Sequence, residues 1–545
     1  MKHHHLDPAT GQLHVHGEPY LIRGIELHNS SASSPDHLRP LWQRFVDSGV
    51  NTVLAPVSWE LVEPQEGDFD FGLVDALLAD ARRHDLKLVL LWFGSWKNGS
   101  SSYVPAWVKL APERFTLQQD AAGNVLDNLS PFDTSNRDAD AAAFAALMEH
   151  LATVDGDAGT VVMVQVENEV GLLGAPRSHG PDASAAWTCP VPPVLLEALR
   201  DGGSPYITVP DGAPVPSWSE LLGDATRTAE LFMAWHYAAY IEHVAAAGRA
   251  RHALPLFVNA WLDSIVPDAS GPSDTADAAV AGGQTPGIYP SGGPLPHVST
   301  AWKLAAPTID FLAPDVYFGD FEIPFKGYAE TNTTFFVPEM RADANGVSHS
   351  FLAIGSYGAI GVSPFGFDSL HENDTHDLRR TYRQLGALER EILHAQTQGL
   401  LRGFRTLPGQ EQRITLGSHE FLARVHTEHD GETCGYGLLL QTEDDTFITA
   451  GHNFTLDPLP RDGVPAAVLR ADDLAITDGR LTPQRRLNGD ETFAGTRIRV
   501  ADNPARMHGF MLTTGTHSGV VHFSLYPRRR AVGRGSHSDG GRVQR

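Results

Sequence analysis

Cysteine is nearly absent from this sequence, with only Cys189 and Cys434 among 545 residues. A framework of several disulfides is therefore excluded, and whether these two cysteines pair cannot be decided from their positions. Also missing are an apolar stretch long enough to span a bilayer and a charged, apolar leader at the amino terminus. We therefore expect no membrane partner and a cytoplasmic protein, or a periplasmic or secreted one if a leader precedes this sequence.

Positive charge is scarce as well. Lys and Arg total 41 against 66 Asp and Glu, which gives a formal net charge of −25. A nucleic-acid partner is excluded on this ground because phosphate binding needs a basic face. With 42% hydrophobic residues, 52 Gly and 37 Pro, the composition is typical of a loop-rich globular enzyme. The length predicts at least two domains, and the composition leaves the oligomeric state open, a homo-oligomer included.

After an amino-terminal arm (1–19), residues 20–398 alternate short apolar runs with amphipathic helical patterns. Runs of four to eight apolar residues are typical of buried parallel strands, and eight βα repeats predict an α/β fold, a (β/α)₈ TIM barrel. Two Gly- and Pro-rich segments, 171–218 and 264–299, follow strand ends, so they are either walls of a pocket or surface insertions. The eight runs are Tyr20–Glu26, Asn51–Val57, Lys87–Trp92, Thr160–Val166, Leu256–Asn259, Phe311–Val316, Thr334–Pro338 and Gly358–Ser363.

Beyond residue 398 the pattern changes to short alternating runs separated by turn residues. This pattern predicts a smaller antiparallel, β-sandwich-like domain over residues 399–526. The Arg-, Gly- and Ser-rich tail, 527–545, is predicted to be disordered. The His3–His5 run at the other end is interpreted as a solvated, flexible end and not as a metal site.

Two apolar runs end in a glutamate: Val161–Glu169 and Thr334–Glu339. In a barrel the carboxyl ends of the strands meet at one face, and two facing carboxylates are what glycosidic cleavage requires. Strand alternation places Gln165, Glu167 and Glu169 on one side of the fourth strand. Glu169, nearest the strand end, is the better placed of the two glutamates for a substrate.

Asn168-Glu169 and Glu339 look like the catalytic residues of retaining (β/α)₈ glycosidases. More closely, the chain resembles glycoside hydrolase family 35, whose best-known members are β-galactosidases. The carboxy-terminal β domain resembles the accessory domain of a bacterial branch of that family. The matching segments, in the order of the family, are Gly24–His28, Trp59–Pro64, Gly67–Phe71, Pro105–Trp107 and Gln165–Gly171.

The resemblance implies a retaining glycoside hydrolase that removes a terminal β-linked sugar, most simply a β-galactoside, through a glycosyl-enzyme intermediate. Glu169 would act as general acid and then as general base, and Glu339 as the nucleophile. Such a pair is about 5–5.5 Å apart, so one carboxyl is kept protonated beside its charged neighbour. The implied mechanism needs no metal and no organic cofactor, and its partner is a carbohydrate.

Six further residues beside strand ends are predicted to bind the sugar or to orient the nucleophile. The tyrosine of this set would hydrogen-bond the nucleophile, although it also fits a half-buried aromatic beside Phe318. Each of the other aromatics fits core packing on its own; as a set, we expect at least one to contact sugar. The six residues are Asn168, Tyr317, Glu60, Trp96, Trp261 and Phe365.

The sugar-reading positions depart from the best-known family members. Asn29 replaces a tyrosine, Gly94-Ser95-Trp96 replaces Ala-Glu-Trp, Val170 replaces a tyrosine, and Glu60 stands where asparagine is common. A β-glycoside of another sugar, or a galactosyl branch on a plant polysaccharide, therefore stays open as the substrate.

Two rival interpretations need different chemistry. A lyase or isomerase barrel would gather metal ligands or use a lysine, and only Lys97 and Lys303 lie near predicted strand ends, with no carboxylate triad at metal-ligand spacing. An inactive carbohydrate-binding barrel would have lost one carboxylate, whereas both are present.

Overall fold

The computed structural model describes residues 4–209, 215–263, 283–426, 434–503, 506–507, 510–511 and 513–528. The chain divides into two compact units, Met1–Gly399 and Leu400–Arg545. Among the described residues, no helix combines the length and apolar character that a membrane crossing requires. Most of the tail that was predicted to be disordered lies outside the described residues.

The first unit contains a closed barrel of eight parallel strands, which confirms the predicted fold. Each strand pairs with the next along the chain, and the eighth closes on the first through Gly361 opposite Ile22. The strands, from first to eighth, are Ile22–Glu26, Thr52–Ser58, Lys87–Lys97, Val161–Asn168, Leu256–Trp261, Phe311–Val316, Phe335–Met340 and Ala359–Pro364.

Helices follow the strands because the connecting segments carry apolar residues at helical spacing. In Gly72–Arg83, for example, Val74, Leu77, Leu78 and Ala81 are buried. Among the described residues of this unit, the helices of at least seven residues are Gly72–Arg83, Thr134–Val154, Pro181–Trp187, Pro193–Arg200, Ala225–Arg249, Ser299–Ala305, Glu322–Thr331, Ser350–Ser356, His376–Ala387 and Glu389–Gln398. Shorter helices are Pro35–Leu38, Trp42–Asp47, Trp59–Val62, Ala106–Lys109 and Ala344–Val347.

The segment before the first barrel strand forms a three-stranded antiparallel sheet of His5–Leu6, Leu13–Val15 and Glu18–Pro19. Leu13 and Val15 join the apolar cluster inside the barrel. His4 is buried and its Nε2 lies 3.0 Å from the Gly159 carbonyl oxygen. The interpretation of the histidine run as a solvated end is therefore wrong for His4; His3 lies outside the described residues.

The long segments after the fourth and fifth strands are joined to each other. Leu172 and Ser291 exchange two backbone hydrogen bonds of 2.9 Å. Gly171 has a φ of +142°, and a Cβ at this position would lie 2.6 Å from the Pro290 backbone. A larger residue at Gly171 would separate the two segments directly beside the end of the fourth strand.

The second unit is an antiparallel β domain, as predicted, with two main sheets and a two-stranded sheet of Arg506–Met507 and Phe510–Met511. Both main sheets contribute to one apolar core that includes Phe404, Phe421, Phe447 and Phe523. The strands of the six-stranded sheet, in spatial order, are Leu401–Thr406, Gly435–Glu443, Thr446–His452, Val520–Pro527, Ala466–Thr477 and Arg480–Arg486. Those of the four-stranded sheet are Glu411–Leu416, His419–Val425, Phe454–Pro458 and Ile498–Val500.

Candidate active site

Three carboxylates converge at the carboxyl ends of the barrel strands. Glu169 follows the fourth strand, Asp315 lies in the sixth and Glu339 in the seventh, and one oxygen of each lies within 4.8 Å of the others. All three are nearly excluded from solvent, at 4–5% exposure. Asp315 and Glu339 are direct partners in the strand register. The barrel therefore brings together residues that are far apart in sequence.

The backbone at the end of the fourth strand does not follow simple alternation. Glu167 and Glu169 have positive φ angles of 62° and 46°, and the register with the third strand shifts between Trp92 and Lys97. Glu167 accepts hydrogen bonds from the Ser95 and Trp96 backbone amides, while Glu169 joins the carboxylate cluster. The prediction that Glu167 and Glu169 share one side is wrong, because the left-handed residues turn their side chains to different surroundings.

Three hydrogen bonds, two that involve Asn259 and one from Tyr317, fix the positions of these carboxylates. Asn259, on the fifth strand, accepts from the Glu169 backbone N–H at 2.9 Å and donates to Asp315 Oδ2 at 2.6 Å. The Tyr317 hydroxyl donates to Glu339 Oε1, as the family resemblance implied. Glu339 Oε2 is buried without a hydrogen-bond partner among the described residues. One oxygen of Glu339 is thus held and the other is left for a ligand.

The environment favours a protonated Glu169. Burial, followed by repulsion from Glu339, raises the pKa of Glu169 to about 7, although Lys97 and a hydrogen bond with Asp315 act in the opposite direction. A carboxyl group with a pKa near 7 can give up and take back a proton at neutral pH.

Glu26 and Lys97 complete the charged cluster, and the sequence reasoning did not include them in the site. Burial and then Glu339 raise the pKa of the Glu26 carboxyl well above its usual range. Burial opposes the charge of Lys97, but Glu339, Glu169, Glu26 and Asp315 outweigh it, so the pKa of this lysine is raised. Glu26 and Lys97 are each a charged residue at the end of an otherwise apolar strand, and this pattern could have identified them.

The expectation that no carboxylate triad would form is wrong, since Glu169, Asp315 and Glu339 form one. Their oxygens are of the type that binds Mg²⁺ or Ca²⁺. The ammonium group of Lys97 interacts with all three, however, and a second cation placed there would be repelled by it. The donor set therefore fits a divalent ion poorly.

The predicted sugar-binding residues fall into two groups, of which the first borders the cluster. Asn168 is fully buried, and neither its amide nitrogen nor its amide oxygen has a hydrogen-bond partner among the described residues. Trp261 is half-buried and pairs in register with Asp315. Phe365 is half-buried, bridges to Glu26 and packs edge-on against His28 at 4.9 Å. These positions suit contact with a ligand in the barrel mouth.

The second group of predicted sugar-binding residues, Trp96 and Glu60, does not border the carboxylate cluster in this way. Trp96 is fully buried, and its indole N–H donates to Asn128 Oδ1 and to the Leu129 carbonyl. Its ring packs against Tyr237 and Tyr240, with centroids 5.0 and 4.5 Å away. Trp96 has no exposed surface, so it corresponds to the core-packing alternative and not to the aromatic that contacts sugar. Glu60 is half-exposed and pairs with Lys109 at 3.4 Å, so its place in the binding set rests on position alone.

Comparisons with known proteins give a partial match. The family model of glycoside hydrolase family 42, described as β-galactosidase, matches residues 34–190. A second model, described only as a domain of unknown function, matches residues 378–499. Among curated proteins none matches this chain. The resemblance to family 35 that the motifs indicate is not reproduced, since the matching model is that of family 42.

Three solved structures illustrate the likeness in fold. The catalytic domain of β-amylase from Paenibacillus polymyxa is 12% identical, with a TM-score of 0.45 over 65% of this chain and 94% of that one. β-Galactosidase from Bacillus circulans sp. alkalophilus is 14% identical, with a TM-score of 0.45 over 69% and 57%. β-Galactosidase from the psychrophilic Marinomonas ef1 is 12% identical, with a TM-score of 0.43 over 71% and 62%. With TM-scores below 0.5, these likenesses do not bear on function.

A β-galactosidase model thus matches the segment that carries the second to fourth barrel strands and ends just beyond Glu169. The barrel is closed, and paired glutamates face each other at its mouth. The protein is a glycoside hydrolase, part of which matches a β-galactosidase model.

Proposed function

We propose that the protein hydrolyses a terminal β-linked sugar with retention of configuration, through a covalent glycosyl-enzyme intermediate. The observation that carries this proposal is the approach of Glu169 and Glu339, whose closest carboxylate oxygens lie within 4.8 Å. Retaining pairs are about 5–5.5 Å apart, whereas inverting pairs are separated by roughly 6.5–9.5 Å to admit a water. The spacing favours the retaining mechanism.

In the first step, Glu339 attacks the anomeric carbon while Glu169 protonates the departing glycosidic oxygen. Because Tyr317 holds Oε1 of Glu339, the attacking atom is Oε2, which is buried and has no partner among the described residues. Glu169 is suited to the acid role because burial and Glu339 raise its pKa to about 7. The glycosidic C–O bond breaks and an ester forms between the sugar and Glu339.

In the second step, a water molecule hydrolyses the ester. Glu339 no longer carries a charge, so its contribution to the raised pKa of Glu169 is lost. The pKa of Glu169 therefore falls, and its carboxylate takes a proton from the attacking water. The same residue serves as acid and then as base, as microscopic reversibility requires.

The substrate proposed first is a β-galactoside, in agreement with the description of the family model that matches residues 34–190. Buried polar atoms without described partners, on Glu26, Asn168 and Asp315, would accept or donate hydrogen bonds to sugar hydroxyls. The altered third-strand motif, Gly94-Ser95-Trp96, supports the alternative of another β-linked sugar or a galactosyl branch of a plant polysaccharide. Family 35 and family 42 are alternative assignments within this proposal.

The decisive experiment is a screen of 4-nitrophenyl β-glycosides of several sugars, followed by NMR detection of the first-formed anomer. A β-anomer as the first product from the best substrate would support retention, and Glu339→Ala should abolish its turnover. Glu149→Gln, an exposed carboxylate on the helix Thr134–Val154, is the matched control and should stay active. An α-anomer as first product, or no turnover of any β-glycoside, would overturn the proposal.

A further inference from the structure

A second pair of carboxyl groups lies behind the active site and has no part in the mechanism above. Glu167 is on the fourth strand, Asp140 is on the helix Thr134–Val154, and both are fully buried. The Ser95 backbone N–H donates to both, to Glu167 Oε1 and to Asp140 Oδ2, each at 3.2 Å. Both carboxyl groups thus lie within hydrogen-bond reach of one amide, and a hydrogen bond with Asp140 is among the causes that raise the pKa of Glu167.

The groups that surround the pair are neutral. The Trp92 indole N–H donates to Asp140 Oδ1 at 2.9 Å, and the Trp96 backbone N–H donates to Glu167 Oε2 at 2.7 Å. The Tyr240 hydroxyl lies 3.4 Å from Asp140 Oδ2, and burial raises the pKa of this phenol well above its usual range. Among these described contacts there is no cation to balance two negative charges, and two ionised carboxylates in so dry a site would repel strongly.

Glycine at position 94 fits this interpretation. A Cβ added there would lie 2.5 Å from Glu167 Oε1 and 2.7 Å from Asp140 Oδ1. The same Cβ would lie 2.3 Å from Trp92 Nε1, so any larger residue would displace the indole and both carboxyl groups. The departure from Ala-Glu-Trp in the third strand therefore leaves the space in which the pair meets.

We propose that Glu167 and Asp140 share one proton, Glu167 donating to the Asp140 carboxylate, and that this contact positions Glu169 for catalysis. Glu167 accepts two backbone hydrogen bonds from the third strand, interacts with Asp140 of the helix and lies two residues before Glu169. Glu167 and Glu169 both have left-handed backbone conformations. Such conformations are costly for residues other than glycine and persist only where surrounding contacts hold them. Glu167 is thus a positioning residue, and its effect on turnover rests on the proposed function.

The direction of the proton is consistent with the surroundings of each group. Asp140 receives the indole, amide and phenol donors, which stabilise a carboxylate. Burial, and then Asp140, raise the pKa of Glu167 well above its usual range. Glutamine at position 167 would keep a donor to Asp140 and an acceptor for the Trp96 N–H, and the Ser95 N–H would retain Asp140 Oδ2 as its acceptor. Leucine would keep the volume and lose both contacts.

The test compares Glu167→Gln, Glu167→Leu and the control Glu149→Gln on two substrates of the same sugar. One substrate is a 2,4-dinitrophenyl β-glycoside, which needs little acid assistance, and the other is an alkyl β-glycoside, which needs it fully. Glu167→Gln should keep kcat/KM within about threefold of the wild type on both. Glu167→Leu should lose roughly 100-fold on the alkyl glycoside and less than tenfold on the dinitrophenyl glycoside. Equal losses on both substrates, or a Glu167→Gln variant as impaired as Glu167→Leu, would overturn the positioning role.

An infrared measurement tests the shared proton without any turnover. At pH 8 the difference spectrum between the wild type and Glu167→Gln should contain the C=O band of a protonated carboxyl group, and the Glu149→Gln difference spectrum should not. A Glu167→Gln difference spectrum with only carboxylate bands would overturn the proton sharing, even if Glu167→Leu does not fold. If the wild type cleaves no β-glycoside, the proposed function fails, while this measurement still decides whether the proton is shared.

Discussion

The hydroxyl of Tyr317 donates a hydrogen bond to Oε1 of Glu339. The bond crosses from the end of the sixth strand to the seventh, next to the register pair of Asp315 and Glu339. Because this hydrogen bond occupies Oε1, it leaves Oε2 of Glu339 available to a ligand. In the proposed mechanism it would also stabilise the charged Glu339 before attack and the ester oxygen after it.

Replacing Tyr317 by phenylalanine should therefore lower kcat with little change in protein stability. Loss of a hydrogen bond to a charged group amounts to about 1.5–3 kcal/mol, or roughly 10- to 100-fold in rate. The measurement is kcat and KM on the best aryl β-glycoside. Tyr357→Phe is the matched control, since the Tyr357 hydroxyl also donates to a carboxylate, that of Glu322, at an exposed site. A Tyr317→Phe enzyme with unaltered kcat would contradict a role in orienting the nucleophile.

Lys97 should influence the alkaline limit of activity through the pKa of Glu169. The free enzyme needs protonated Glu169, so kcat/KM should fall above about pH 7, where this carboxyl group ionises. Lys97 lowers the pKa of Glu169, and removing its charge in Lys97→Met should raise that pKa. The alkaline limb should then move to higher pH.

The control for this pH profile is Lys303→Met. In the wild type the ammonium group of Lys303 donates to the Thr331 carbonyl. The profile of Lys303→Met should match that of the wild type. Titration of Lys97 itself does not produce the limb, because its pKa is raised above the ordinary value of 10.5. An alkaline limb that stays in place or moves to lower pH in Lys97→Met would show that Lys97 does not act on Glu169.

The barrel strands could be predicted because their side chains are buried on both faces, so that each reads as a short apolar run. Phe311–Val316 has the same bounds in the prediction and in the structure. The third strand instead continues from Trp92 to Lys97 through Gly94 and Ser95. Its polar end is buried through specific contacts, such as Ser95 Oγ to the Tyr240 hydroxyl at 2.7 Å, which no periodicity shows.

Some strands of the second unit do not show an alternation of apolar and polar residues, for a related reason. Ala466–Thr477 and Arg480–Arg486 are rich in charged residues, and their pairing is held in part by ion pairs across the strands. Arg486 meets Asp472 at 2.5 Å and Arg485 meets Asp473 at 3.0 Å. An alternation of apolar and polar residues is hidden when the polar side chains are themselves paired and buried.

The meeting of the two glutamates could be predicted because a barrel brings every strand end to one face. The rest of the cluster could have been read from single polar residues in apolar strands, Asn259 and Asp315 above all. The different surroundings of the Glu167 and Glu169 side chains could not be predicted from the sequence, because they depend on backbone angles. Sequence alternation assumes extended residues throughout, and it fails where a strand end becomes left-handed.

Activity should survive removal of divalent ions. In the proposed mechanism every proton transfer is carried out by Glu169, and positive charge beside the carboxylates is supplied by Lys97. Enzyme dialysed against a chelator should therefore keep its kcat/KM within about twofold, and added Mg²⁺ or Mn²⁺ should not raise it. Enzyme dialysed in the same way without chelator is the control. Loss of activity that Mg²⁺ or Mn²⁺ restores would favour the metal-dependent alternative, in which Glu169, Asp315 and Glu339 act as ligands.

Trp96 and Trp261 offer a direct comparison between a buried tryptophan and one at the barrel mouth. Trp96→Ala should destabilise the protein by about 3–5 kcal/mol, because a large cavity forms and the indole hydrogen bond to Asn128 is lost. Trp261 is half-buried beside Asp315, so Trp261→Ala should raise KM roughly tenfold, on the order of 1.4 kcal/mol, through the loss of stacking on sugar.

Denaturant unfolding and KM measured on the same preparations separate the two effects. Stability in Trp261→Ala should stay within about 1 kcal/mol of the wild type, since the residue already faces the mouth and leaves no closed cavity. Trp261→Phe retains an aromatic face and should recover most of the affinity. If Trp261→Ala changes stability and leaves KM unaltered, Trp261 is a packing residue, and the aromatic contact to sugar must come from Phe365, whose replacement by alanine should then raise KM.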